Sequence, residues 1–136
     1  MSTNPNPAGP SQQDVSVITV DDHAVFRQAA RDIIEATTGF ASVGEAASGA
    51  EALALVDECR PELALVDVRM PGMDGVEVAR RITEAHPEVV VVLVSIEEPA
   101  NIRAGASSCG AAALVRKQDL GPKLLRGLWL DHGRRR

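Results

Sequence analysis

The chain has 136 residues, a net charge of −5, 45% hydrophobic residues and only 2% aromatic residues with no Tyr. That length suits one domain with an aliphatic, alanine-rich core, and the acidic balance argues against nucleic acid as the main partner. The longest apolar run, residues 89–94, is far short of the roughly 20 residues that span a bilayer, no charged-then-apolar leader opens the chain, and Cys59 and Cys109 form no metal or redox spacing, so a cytoplasmic, reducing compartment is expected.

Residues 1–13 are rich in Pro, Asn and Ser, with almost no large apolar side chain, and are expected to be disordered. Val15–Val20 reads as a first strand. Residues 24–36 carry Phe26, Ala29, Ala30, Ile33 and Ile34 at amphipathic-helix spacing, ended by Thr38-Gly39. Phe40–Ala46 is the second strand, and Ser48 with Glu51 three residues later matches a capping box that opens a helix running to Cys59. Arg60-Pro61 stops it. Residues 62–68 are the third strand and Met70-Pro71-Gly72-Met73 a loop. Asp74 and Glu77 then cap a helix with Val78, Ile82 and Ala85 on one face, ending before His86-Pro87.

Residues 89–94 are an unbroken apolar strand, as expected when both faces are covered. A short, weak helix is expected over 99–108, a turn at Cys109-Gly110 and a fifth strand over 111–116. Leu120, Leu124, Leu125, Leu128 and Trp129 form the last helix stripe, and the chain closes on the basic residues 131–136. Five alternations of strand and helix predict a flavodoxin-like, doubly wound α/β fold with a parallel sheet of order 2-1-3-4-5 over 14–130.

Asp21, Asp22, Asp67, Ser95 and Lys117 each sit at or just past a strand end. Ligands of such sheets bind outside the carboxyl ends of the strands. An acidic residue after a strand is often only a helix cap, but five groups converging on one edge make a site. Three carboxylates repel unless a cation joins them, and hard oxygen ligands suit Mg²⁺. Asp22, Asp21 through water, and the backbone carbonyl of Arg69 are the candidate metal ligands. Asp67, at the end of the central strand, is the candidate nucleophile for an aspartyl-phosphate. Lys117 and the Ser95 hydroxyl would each take a phosphoryl oxygen. His23 is read as the start of the first helix, facing solvent. Cys59 and Cys109 are read as small buried apolar groups.

Asp21-Asp22, the run from Asp67 through Met70-Pro71 to Met73-Asp74-Gly75, Ser95 and Lys117 together resemble the receiver domain of bacterial two-component response regulators, the NarL/FixJ-like branch in particular. The resemblance spans about residues 14–130. It implies a phosphoacceptor, not an enzyme beyond weak autodephosphorylation. Asp67 would take phosphate from a sensor histidine kinase, with Mg²⁺ on Asp21, Asp22 and Asp67, while Ser95 and Lys117 sense the phosphoryl group. It also implies output through contacts with a protein target, and allows a phosphorylation-linked homodimer through residues 120–129.

Three departures stand out. Leu114 occupies the position three before the lysine that is usually aromatic in the family, so the usual ring swing behind Ser95 is missing. Gln118 follows Lys117 where many members have proline. About six residues follow Leu130, too few for the DNA-binding domain of this branch, so a single-domain regulator without direct DNA binding is expected. The alternative is a degenerate receiver serving as a docking module or phosphate sink. An aspartyl-nucleophile phosphatase is disfavoured because Arg69 stands where that class needs a second acid.

Overall fold

The computed structural model describes residues 14–97 and 108–133. Five strands, β1 (Val15–Val20), β2 (Phe40–Ala46), β3 (Leu63–Asp67), β4 (Val90–Ser95) and β5 (Ala113–Arg116), form one parallel sheet in the order β2-β1-β3-β4-β5. The described helices are α1 (Ala24–Glu35), α2 (Gly49–Cys59), α3 (Gly75–Ala85) and α4 (Pro122–His132). This is the expected doubly wound fold. The weak helix expected over 99–108 falls outside the described residues except at Ser108.

Alternation along the strands sorts the core into two layers. Ile18, Val20, Ala64, Val66, Val91 and Leu93 pack with Ala52 and Val56 of α2 and Val78, Ala79 and Ile82 of α3. Val15, Val17, Leu63, Leu65, Val90, Val92 and Val94 pack on the other face with Ala30 and Ile34 of α1 and Leu125 and Leu128 of α4. β3 and β4 are buried along their whole length, as an interior parallel strand covered on both faces must be. Trp129 and Leu124 pack against the α1–α4 layer half-buried. Cys109 is buried, whereas Cys59 is only half-buried on the last turn of α2.

The helix ends follow local chemistry. Ser48 Oγ accepts the Glu51 N–H at 3.2 Å, which is the first half of the capping box, while Glu51 Oε1 reaches one residue past the cap and accepts the Ala47 N–H at 2.8 Å. Arg60 ends α2 in the left-handed conformation (φ 48°), its N–H bonded to the Val56 carbonyl. Strand limits differ from the expected ones by one or two residues. β5 starts at Ala113 and not at 111, because the chain is still leaving the positive-φ turn at Gly110. α4 runs through His132, two residues past the expected domain end. Asp67 and Ser95 are the final residues of β3 and β4, so their backbones are held by the ladders: Asp67 opposite Val94, Ser95 opposite Arg116.

Candidate functional site

Register brings the site together. β1 and β3 pair up to Val20 and Val66, so Asp21 and Asp67 are the next residues of two adjacent strands. Ser95 ends β4 on the other side of β3, and Lys117 opens a short 3-10 turn (Lys117–Asp119) straight after β5. The expected residues Asp21, Asp22, Asp67 and Lys117 do meet.

Asp21 is fully buried and Asp67 is 4% exposed. The Lys117 ammonium lies 2.5 Å from Asp21 Oδ2 and 3.5 Å from Asp67 Oδ1, bridging the two carboxylates. Phe26 of α1 lies under it, 4.4 Å from ring centre to Nζ. That face contact holds the cation over the site without giving it an acceptor. Burial, then the Asp21 charge, push Asp67 up from 3.8 to about 6, against the downward pull of Lys117 and the Arg69 backbone N–H. A buried carboxylate so raised wants a cation.

The acidic pair points the same way. His23, not Asp22, caps α1, and its side chain makes no cap bond. Asp21 Oδ1 instead accepts the His23 backbone N–H at 2.8 Å. Asp22 Oδ1 is buried and accepts no hydrogen bond. Such an atom is costly unless a ligand completes it. Asp21, Asp22, His23 and Asp67 each offer an atom within 4.8 Å of the others. Three hard oxygen donors around an uncompleted buried oxygen fit Mg²⁺. The His23 ring is 68% exposed, in line with the solvent-facing expectation, but its Nδ1 lies 3.1 Å and 3.2 Å from Asp21 Oδ1 and Asp22 Oδ1. His23 therefore belongs to the rim of the acidic pair.

Ser95 is buried, and its Oγ accepts the Glu97 N–H at 2.9 Å. The hydroxyl is thus fixed by its own loop. A cleft of about 480 Å³ opens over Asp67, Ser95 and Lys117, with Phe26, Val25 and Ile96 on its wall. Arg69, which also lines this cleft, holds Glu97 Oε1 with Nε and Nη2 at 3.1 Å and 2.9 Å, tying the loop after β3 to the loop after β4. At the base of α3, a Cβ on Gly75 would fall on the carbonyl oxygen of Asp67, so only glycine lets that helix start so close to β3. Leu114 is half-buried against the α2–α3 layer, opposite Leu93.

Phe26, Arg69 as an ion-pair partner, and Glu97 were not singled out by sequence. The aromatic count of 2% was the one available signal for Phe26, since so rare a residue at a strand-edge helix invites a question.

A family profile described as the response regulator receiver domain matches residues 17–126. "Response regulator GacA" of Pseudomonas viridiflava is 34% identical over 103 residues, covering 76% of this chain and 48% of that protein. A protein-glutamate methylesterase/protein-glutamine glutaminase of Hahella chejuensis is 43% identical over 81 residues, covering 60% of this chain and 23% of that one. Among solved structures, the signal receiver domain of NarL from Mycobacterium tuberculosis is 36% identical with a TM-score of 0.77, covering 88% of this chain and 95% of that one. The chain spans about half the length of the GacA regulators it matches.

Proposed function

The chain belongs to the response regulator receiver domain family, and from that premise we propose that Asp67 accepts a phosphoryl group from the phosphohistidine of a sensor kinase. The observation that carries this reading is the buried Asp67 carboxylate beside Asp21, Asp22 and Lys117 in one open cleft.

In the transfer, an Asp67 carboxylate oxygen bonds to phosphorus as the P–N bond to the histidine ring breaks. The imidazole keeps the electron pair and takes a proton from water, and the product is an acyl phosphate on Asp67. Asp21, Asp22 and Asp67, with the Arg69 carbonyl, are the residues that would hold Mg²⁺, which when bound offsets charge on the phosphoryl oxygens. Lys117 moves from its shared position between Asp21 and Asp67 to a phosphoryl oxygen, a small step given its 3.5 Å distance from Asp67 Oδ1. The Ser95 hydroxyl already accepts from Glu97, which leaves its proton free to donate to a phosphoryl oxygen. Phosphorylation would pull on Ser95 and so on the Ser95–Glu97 loop, changing the surface offered to a protein target.

Leu114 favours a second reading. An aliphatic side chain packed against the core has no ring to swing toward Ser95. The domain would then take phosphate as a sink without reshaping β5 and α4.

Amide NMR with Mg²⁺, before and after beryllofluoride (a phosphoryl mimic on Asp67), tests both. Shifts spreading from Asp67 through Ser95 to Leu114 and Leu124 are expected for a switch. Shifts confined to the site favour the sink, and no shifts overturn the phosphoacceptor reading.

A further inference from the structure

We propose that Arg27 is a positioning residue for the acidic pair: it holds the Asp21–Asp22 backbone in the conformation that binds the divalent cation. This rests on the Mg²⁺ site read above. The β1–β3 ladder ends at Val20 and Val66, so the Asp21 peptide lies beyond it. On one side its N–H donates to the Ala46 carbonyl of β2 at 3.0 Å. On the other, its carbonyl accepts from Arg27 Nη1 at 2.7 Å. Arg27 stands one turn into α1, its own N–H bonded to the His23 carbonyl. The guanidinium folds back over that turn and clamps the residue at its start.

The clamp is itself braced. Arg27 Nε lies 3.4 Å from Glu45 Oε1, and Glu45 Oε2 lies 2.6 Å from Arg31 Nη1. Glu45 is in β2, opposite Thr19 of β1. The chain of contacts therefore runs from α1 to the neighbouring strand and back to the main chain of the first acidic residue. Arg27 has no ion pair with Asp21 or Asp22 among those found in the described residues, unlike Lys117 and His23. It supplies positive charge and orientation behind the pair without taking a ligand oxygen. Groups that orient metal ligands in this way typically change affinity by about 10–100-fold. A lysine at this position has one compact ammonium and cannot span the carbonyl and Glu45 together, whereas a guanidinium can.

The test is a Mg²⁺ titration of the full chain, read from amide shifts at Asp21, Asp22 and Asp67, with urea midpoints measured in EDTA alongside. Arg27→Ala is expected to weaken Mg²⁺ binding about 10-fold and Arg27→Lys several-fold. Arg31→Ala removes the other half of the Glu45 pairing and is expected to stay within about twofold of wild type, since it leaves the Asp21 carbonyl clamped. Arg27→Ala and Arg27→Lys both binding like wild type would overturn the proposal, as would Arg31→Ala weakening Mg²⁺ as much as Arg27→Ala. If Arg27→Ala fails to fold, Arg27→Lys alone decides. A wild-type chain with no saturable Mg²⁺ response overturns the metal site itself and this inference with it.

Discussion

Two helix entrances at the carboxyl edge of the sheet use aspartate in opposite ways. At α3, Asp74 accepts the Glu77 N–H at 3.0 Å and is satisfied within one turn. At α1, the aspartates precede a histidine cap that makes no side-chain cap bond, and Asp22 Oδ1 is left buried without a hydrogen bond. A cap is worth about 1 kcal/mol, and α1 forgoes it. A carboxylate held back from local capping beside a second buried carboxylate is what the proposed Mg²⁺ site requires. The first entrance stabilises the fold; the second keeps charge available at a cost.

The strongest way to break this contrast is to neutralise the acceptor. Asp67→Asn is expected to abolish phosphoryl uptake from a small-molecule phosphodonor, read by intact mass, while keeping the fold. Uptake by the variant would place the acceptor elsewhere. The same substitution should raise the thermal midpoint in EDTA near neutral pH. Asp67 is pushed up to about 6 from 3.8 in the folded chain, so the folded state binds more protons between those values and stability falls as pH rises through that window. The loss is on the order of 2–3 kcal/mol. The gain from Asp67→Asn should therefore be large above pH 6 and vanish near pH 4; a gain independent of pH would refute that account.

Exchanging the two entrances sharpens the comparison at a smaller scale. Asp22→Asn should weaken Mg²⁺ binding at least about 10-fold with little change in Mg²⁺-free stability. Asp74→Ala should lower stability by about 1 kcal/mol and leave Mg²⁺ binding intact. Chemical denaturation and Mg²⁺ titration on both variants separate the roles, and equal effects on both readouts would erase the distinction. The smallest expected effect is at the mouth. The Arg69–Glu97 pair is exposed, so Glu97→Gln should change stability by less than about 1 kcal/mol. By freeing the two loops it should alter the lifetime of the aspartyl-phosphate a few-fold; an unchanged lifetime would make the pair ornamental to the chemistry.

Much of the molecule was open to reading from the chain alone, because the forces involved are local. Apolar runs such as residues 89–94, the Ser48–Glu51 box and the Asp74–Glu77 cap act within a few residues. Alternation of strand and helix then left one natural sheet order, and that order placed Asp21, Asp67, Ser95 and Lys117 at one edge. The sequence by itself thus determined most of the elements, the topology and which candidate site residues share one edge. Only the tertiary structure decided what each of those residues does in the absence of a ligand. Whether Asp22 caps a helix depends on which residue turns the chain into α1. That Lys117 rests on Phe26, that Arg27 holds the Asp21 carbonyl and that Arg69 meets Glu97 depend on register between strands and on the helix packed above them. These pairs join separate elements, and their geometry is set by layer packing and strand spacing rather than by any preference of the residues for their neighbours in the chain.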